Sequence, residues 1–333
     1  MIPDEILAAW LRDSKAQLET VRRVEQVAAR LRELPALARL EDGLAEAQQT
    51  GADGILALAR ELVAAPDAME EILEALIGAA RQDPFFRPHF SLAAGDVHSG
   101  LTLFDRQALT ITLAVMNADA IAAKRAERLG GGASLIFTGR RSFFHFIRTG
   151  GATLSFWEAP VVEGGFTASD SGRCRLIERR RIRDGETVEM DGRRFTFIVD
   201  EAVEDIAFVH AATSLGAAPL AVEYDSATLG FVGASSTDEA SSRTQMMLAL
   251  LRIMDRKDAV PVFREMLISE HFYARWQTMR ELLALDAAAA LPHLRTMAAE
   301  DPHPEVRQAA AHTLARFFSE AEQHEEDLAE CRS

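Results

Sequence analysis

The sequence predicts an α+β protein in which helical segments flank a central antiparallel β-barrel on both sides. Residues 1–84 are rich in Ala, Leu, Glu and Arg, which are strong helix formers. Between residues 98 and 232, about ten short apolar or alternating runs are separated by glycine-containing turns. An internal helical repeat follows residue 237. We therefore expect a helical region (1–84), a barrel (85–236), helical repeats (237–319) and an acidic tail (320–333).

Composition limits the possible partners. The chain has 333 residues, 48% of them hydrophobic, and a formal net charge of −15. This surplus of negative charge argues against general binding to nucleic acids or to anionic membranes. The two cysteines, Cys174 and Cys331, do not form a disulfide framework, and the N-terminus lacks the pattern of a signal peptide. We expect a cytoplasmic protein without a membrane span.

The N-terminal region predicts four helices. Apolar residues recur at spacings of three and four, and breaks fall near Pro35, Gly51 and Pro66. The last helix is expected over residues 66–81. None of these residues forms a recognisable catalytic motif, so the helices are expected to pack against the barrel or a second subunit.

The central region has the rhythm of antiparallel strands joined by tight turns. Asp184-Gly185 and Asp191-Gly192 are two-residue hairpin signals. No helical crossover separates the runs, which favours a jelly roll or sandwich over a parallel sheet. Residues 117–129 suit either a short helix or a charged extension of a strand. The strands are predicted over residues 100–104, 108–116, 134–137, 142–148, 152–158, 174–183, 187–190, 195–199, 206–210, 218–224 and 230–232.

The run DGETVEMDGRRFTFIVDEAVEDIAFVHA, residues 184–211, resembles the second half of a cupin barrel. The resemblance extends over residues 98–232 and implies a double-stranded β-helix. Many cupins hold a metal through an HxH pair, a glutamate and a later histidine. This chain contains no HxH, so the metal motif of the family is degenerate here.

Candidate site residues come from strand phase. His145 shares a strand face with Phe143 and Ile147, and His210 shares one with Ile206 and Phe208. Both histidines are hypothesised to point into the barrel. The candidate ligand-binding residues are Arg148, Trp157, His145 and His210. If a divalent metal such as iron is bound, its ligands are His145, His210 and Glu158, with His98 or His89. The favoured interpretation is that the histidines pack or hydrogen-bond and that no cofactor is present.

Six arginines lie within eleven residues, between Arg173 and Arg183. Arg179 and Arg181 are candidates for binding an anion through bidentate contacts. The alternative is an edge strand that is protected by charge and paired with carboxylates of the same chain. Both interpretations remain open at the level of sequence.

The C-terminal region contains a repeat of about 32 residues. Pro261 matches Pro292, and Arg275 and Leu282 match Arg307 and Leu314. The segment DPHPEVRQAAAHTLARF resembles the second helix of a HEAT repeat. HEAT repeats imply a surface for protein contact. The preceding helix, within residues 239–256, is expected to place its Met and Leu side chains in the core.

Two functions follow. The first is a non-catalytic ligand-binding, regulatory or scaffold protein, whose helical regions engage a protein partner or a second copy. The alternative is a metal-dependent cupin-type oxygenase that acts on a small polar substrate. A small-molecule ligand is compatible with both functions.

Overall fold

A computed structural model of the protein describes residues 3–88, 92–127, 131–163 and 165–318. It consists of two compact units. The first contains residues up to 161 together with 172–233, and the second contains residues 162–171 and those from 234 onward. The predicted α+β class is confirmed, with N-terminal helices, central antiparallel sheets and a C-terminal helical region. The N-terminal helices and the sheets, which the sequence separates at residue 84, fall in the same unit. The predicted acidic tail, 320–333, lies outside the described residues.

The described N-terminal residues form five helices, where the sequence predicts four. The additional break lies at Asp13, because its Oδ1 accepts hydrogen bonds from the backbone N–H groups of Lys15 and Ala16 at 3.0 Å and so starts a new helix. The last helix agrees with its prediction to within one residue. The helices are Asp4–Arg12 (α1), Ser14–Arg32 (α2), Pro35–Gln49 (α3), Gly51–Val63 (α4) and Pro66–Gln82 (α5).

The strands pair in antiparallel fashion in three sheets. They are Leu92–Ala94 (β1), His98–Arg106 (β2), Leu109–Met116 (β3), Ser134–Phe137 (β4), Arg141–Arg148 (β5), Thr153–Glu158 (β6), Arg175–Arg181 (β7), Thr187–Asp191 (β8), Phe195–Glu201 (β9), Ile206–Thr213 (β10), Leu220–Asp225 (β11) and Phe231–Ser236 (β12). The large sheet has the order β1-β2-β3-β10-β5-β8, and the two small sheets have the orders β12-β11-β4 and β7-β6-β9. Residues 117–129, for which two structures are possible from sequence, contain a helix, Ala118–Glu127 (α6).

Both faces of the large sheet are apolar. On one face, Phe143 and Val209 pack in a single cluster with the N-terminal helices, including Leu40 and Ile55. On the other face, Phe146 and Phe208 pack against Leu154 and Phe156 of the β7-β6-β9 sheet. The large sheet is therefore the middle layer of the first unit, between helices and a second sheet. This arrangement decides where the candidate histidines lie.

The second unit stacks helices around a small core. Phe263, Met279, Leu282 and Leu294 are fully buried in it. In the described residues its helices are Glu239–Ile253 (α7), Val260–Met266 (α8), Phe272–Leu285 (α9), Ala287–Glu300 (α10) and Pro304–Phe317 (α11). The predicted matching of the repeats is visible in the hydrogen bonds. Arg275 donates to the carbonyls five and six residues before it, and Arg307 does the same.

The prediction that the Met and Leu side chains of α7 are core is wrong for most of them. Leu248 is buried, but five apolar side chains lie exposed along one side of the helix, the last of them on its C-terminal cap residue, Met254. We call them the α7 stripe. Its members, with their exposed fractions, are Met246 (69%), Met247 (66%), Leu250 (55%), Ile253 (69%) and Met254 (56%). Since a helix repeats every 3.6 residues, these positions share one face.

Residues 162–171, which lie between β6 and β7 in the sequence, have a structural role in the helical unit. Residues 162–171 belong to the helical unit. The backbone N–H of Ala168 donates to Glu305 Oε1 at 2.7 Å, and His303 Nε2 lies 2.9 Å from the carbonyl oxygen of Phe166.

No helix among the described residues is long and apolar enough to cross a membrane.

Candidate functional site

His210 lies on the inner face of the large sheet, where the sequence predicts it. Its ring stacks on Phe144 of the neighbouring strand, with 4.3 Å between ring centroids and 14° between planes. Burial lowers the pKa of His210 to about 4, and the positive charge of Arg140 contributes to this shift. The imidazole is therefore neutral at physiological pH and is part of an aromatic cluster.

His145 lies on the opposite face, so the hypothesis that both histidines point into the barrel is wrong. In the β5–β10 register, His145 pairs with Val209, whereas His210 pairs with Phe144. Directly paired residues share a face, and Val209 faces the helices. His145 Nδ1 lies 2.9 Å from Thr187 Oγ1, and partial burial lowers the pKa of this histidine.

The proposed metal ligands are not brought together. The carboxylate of Glu158 forms ion pairs with two arginines, and His145 and His210 lie on opposite faces of one sheet. His98, on β2, is near enough to His210 for its charge to lower the pKa of His210, so these two of the proposed ligands are neighbours, whereas His89 lies outside the described residues. Within the described parts of the chain, no group of three His, Cys, Asp or Glu side chains has the geometry to hold a metal ion.

Arg148 and Trp157 are also separate from the histidines. Arg148 is the exposed last residue of β5. Trp157 is the penultimate residue of β6, in a different sheet, and its side chain is 8% exposed. The buried indole Nε1 of Trp157 has no hydrogen-bond partner among the residues that the structure describes. The four predicted ligand-binding residues thus do not form one pocket.

The arginine row lies on β7, an edge strand of its three-stranded sheet. Arg179 Nε donates to Asp200 Oδ2 at 2.7 Å, and a second nitrogen of Arg179 lies 3.8 Å from Glu201. Arg180 contacts Glu178 and Glu186 at 3.1 and 2.6 Å. These contacts favour the interpretation of a charged edge paired with the chain's own carboxylates.

A second arginine cluster, which the sequence argument did not single out, surrounds Glu158. Arg194 Nε donates to Glu158 Oε1 at 2.6 Å, and Arg175 forms an ion pair with Oε2. Burial raises the pKa of Glu158, but the hydrogen bonds from Arg194 and Arg175 outweigh it, so the net effect is a lowered pKa. Glu158 is therefore a charged carboxylate, covered by two flexible side chains rather than by the core.

These residues line a cleft of about 390 Å³, which we call the Glu158 cleft. It is lined by Glu158, Ala159, Pro160, Val161, Arg173, Arg175 and Arg194. The sequence argument missed Arg194 because this residue is distant from the arginine row in the chain. It follows the Asp191-Gly192 turn, and the next residue, Phe195, pairs with Glu158 in the sheet.

The helical unit has its own apolar surface. Besides the α7 stripe, a groove of about 560 Å³ runs between side chains of α9 and α11. Trp276 and Leu283 line it on α9, and Phe317, which is 66% exposed, lines it on α11. Contiguous apolar surface of this kind is typical of interaction sites.

Comparison with known proteins gives one match to a family model and a set of similar solved structures. Residues 234–315 match the model of HEAT repeats. Solved structures with a cupin fold are similar to parts of the chain, with low TM-scores and partial coverage. No curated protein matches the chain.

Three of these structures illustrate the similarity. Ectoine synthase from P. lautus is 14% identical, with a TM-score of 0.22, over 37% of this chain and 69% of that one. The cupin domain of Schizosaccharomyces pombe Cnp3 is 10% identical, with a TM-score of 0.22, over 37% and 66%. A sugar phosphate isomerase of the cupin superfamily from Silicibacter pomeroyi is 12% identical, with a TM-score of 0.22, over 45% and 87%. Similarities of this size assign no activity to the chain.

Proposed function

We propose that the protein is a non-catalytic scaffold that associates with a second copy of itself through the α7 stripe. The observation that carries this proposal is the stripe itself, five neighbouring apolar side chains that are each more than half exposed. HEAT repeats are commonly modules for protein interaction. An apolar helix face left in water favours association, because contact with another apolar face removes it from solvent.

The size of the stripe supports a dimer. At roughly 100 Å² per exposed side chain, it presents on the order of 500 Å² of apolar surface, near the top of the roughly 300–600 Å² found for the largest patch on a typical monomer. Two stripes in contact bury about 1,000 Å², the size at which a specific interface becomes plausible. A second copy carries the identical stripe, so every solution of this protein contains a surface of matching length and chemistry.

The position of the stripe also favours a second copy. α7 is the first helix of a stack, and among the described residues two helix pairs follow it. Helical repeat arrays need about three units to bury a continuous core, because each repeat covers only its neighbours. Pairing through α7 joins two short stacks into one longer array.

In this proposal the cupin-like sheets act as a rigid support. The space between the large sheet and the β7-β6-β9 sheet contains packed aromatic side chains, among them Phe146, Phe156 and Phe208. Phe144 lies between His210, on which it stacks, and Phe197, with which it makes an edge contact at 4.8 Å. The proposal assigns neither a catalytic residue nor a resident cofactor to the chain.

The experiment is to measure the oligomeric state of the full chain by sedimentation equilibrium. We expect a dimer at micromolar concentration for the wild type. Replacing Leu250 with Glu places a charge at the centre of the stripe, and this should weaken dimerisation by more than about 100-fold, because a buried unpaired charge is strongly unfavourable.

Ile268→Glu is the matched control. Ile268 is 84% exposed in the same unit but lies outside the stripe, so this variant should dimerise like the wild type. Far-UV circular dichroism confirms that both variants are folded. A wild type that stays monomeric up to about 100 µM, or a dimer that survives Leu250→Glu, would overturn the proposal.

A further inference from the structure

We infer that the Glu158 cleft is a binding site for a small organic dianion, one that carries a phosphate group or two carboxylates. The cleft is lined by three guanidinium groups and a single carboxylate. Its local charge is therefore +2 (three positive charges and one negative), on a chain whose net charge is −15. A concentrated positive charge inside an acidic protein attracts a compact anion rather than an extended polyanion, which the rest of the surface repels.

Glu158 holds two of the arginines in place. Each carboxylate oxygen accepts from a different guanidinium, Oε1 from Arg194 and Oε2 from Arg175. The side chains of Arg175 and Arg194 remain 72% and 53% exposed. A guanidinium has five N–H donors, so most donors are left for a ligand. The carboxylate thus orders two cationic groups before the ligand arrives, which lowers the entropic cost of binding.

The backbone positions the third arginine. Arg173 pairs with Gly230 in an isolated bridge, and its guanidinium donates to the carbonyl of Thr228 at 3.1 Å. The preceding residue, Gly172, has a φ of +60°, and a Cβ there would lie 3.0 Å from Cγ of Pro160. Glycine is therefore suited to the position where Arg173 enters the cleft beside Pro160.

The rest of the lining suits the carbon part of the ligand. Ala159, Pro160 and Val161 form an apolar wall next to the arginines. The volume of about 390 Å³ is within the range of roughly 300–1,000 Å³ that is usual for small-molecule sites. Arginine pairs bidentately with carboxylates and phosphates, and both fit the donors available here.

The test is isothermal titration calorimetry of the full chain at low ionic strength. Inorganic phosphate and succinate are the two dianionic probes, and acetate is the monoanionic comparison. We expect saturable binding of phosphate or of succinate, and binding of acetate at least about tenfold weaker. Whichever probe binds more tightly identifies the anionic group that the site prefers.

Arg173→Ala and Arg175→Ala should each weaken binding by about tenfold or more, since each removes a charged donor. Arg179→Ala is the matched control, because it removes an equal charge from the same strand outside the cleft and should bind like the wild type. Arg173 has no carboxylate partner in the described residues, so its variant tests the site even if Arg175→Ala fails to fold. The inference is overturned if neither phosphate nor succinate binds saturably. It is also overturned if Arg179→Ala loses as much affinity as the two cleft variants. The cleft residues belong to the first unit and the α7 stripe to the second, so either proposal can fail alone.

Discussion

At the scale of single residues, His210 makes stability depend on pH. Its pKa of about 4 in the folded protein is lower than the ordinary value near 6.5 in an unfolded chain. Above pH 6.5 both states are neutral and the histidine has no effect. As the pH falls from 6.5 to 4, the unfolded state binds a proton that the folded state does not, so the free energy of unfolding decreases.

We predict that His210→Phe reduces this acid sensitivity. Between pH 7.5 and pH 5, His210 should cost the wild type about 2 kcal/mol of stability, and phenylalanine at this position removes that component. Urea unfolding of both proteins at the two pH values, followed by circular dichroism, measures the difference. If both proteins lose the same stability on acidification, His210 is not the responsible group.

His145 and His210 also show why part of the site could not be predicted. Their strand phases are correct, since each shares a face with the neighbours expected from alternation. Alternation alone does not tell which face is the interior, because both faces of the large sheet are apolar. Phe143, which shares a face with His145, is fully buried under the N-terminal helices. Phe146, on the inward face, is buried to the same degree. Only the packing of the helical layer settles the direction.

At the scale of secondary-structure elements, β7 illustrates how an edge strand is protected. Leu176 and Ile177 are about half exposed, and charged residues follow them along the strand. An exposed edge presents unpaired backbone groups that pair with other chains unless charges prevent a close approach. Two members of the arginine row, Arg179 and Arg181, were candidates for binding an anion. The charges of the row are explained by protection of the edge and, for Arg173 and Arg175, by their place in the Glu158 cleft.

We therefore predict that the double variant Glu178→Val, Arg181→Val aggregates. It removes one negative and one positive charge, so the net charge is unchanged, while residues 176–178 of the edge become an uninterrupted apolar run and a further apolar side chain follows at 181. Light scattering against concentration should show association that the wild type does not. The control is Asp96→Val, Lys124→Val, which removes an exposed ion pair at 3.0 Å elsewhere. Equal scattering from the two double variants would contradict the edge argument.

Other elements were predicted to different degrees. The hairpin strands agree with the structure to within a few residues, because Asp-Gly turns and β-branched alternation are local signals. The α7 stripe was assigned to the core, since an apolar helix face has the same sequence whether it packs inside a unit or against another molecule. Burial at such a face depends on which neighbours exist, and these are not encoded within the helix.

At the scale of the whole molecule, the division into compact units does not follow the chain order. Residues 162–171 lie between strands β6 and β7 in sequence, but they belong to the helical unit. Their partners His303 and Glu305 are 137 residues away. A local pattern identifies this segment as a loop, and no local signal reveals contacts at that separation.

The helical unit depends on an ion pair between its two repeats. Arg275 of α9 donates to both carboxylate oxygens of Asp301, at 2.8 and 2.7 Å, and the two side chains are 9% and 4% exposed. Burial raises the pKa of Asp301, but the hydrogen bonds from Arg275 outweigh it and the net shift is downward. Asp301 also accepts from the backbone N–H of His303 at 2.8 Å, so one carboxylate joins α9 to the start of α11.

We predict that Asp301→Ala destabilises the helical unit by about 3–5 kcal/mol, because it leaves the buried charge of Arg275 without its carboxylate partner. Calorimetry of the full chain should show the transition of this unit shifted to lower temperature, while that of the first unit is unchanged. The matched control is Asp258→Ala, which breaks an exposed pair with Arg256 and should change stability far less than Asp301→Ala does, because water screens exposed pairs. Equal shifts in both variants, or a shift of both transitions in Asp301→Ala, would contradict this assignment, since the pair lies wholly within the helical unit.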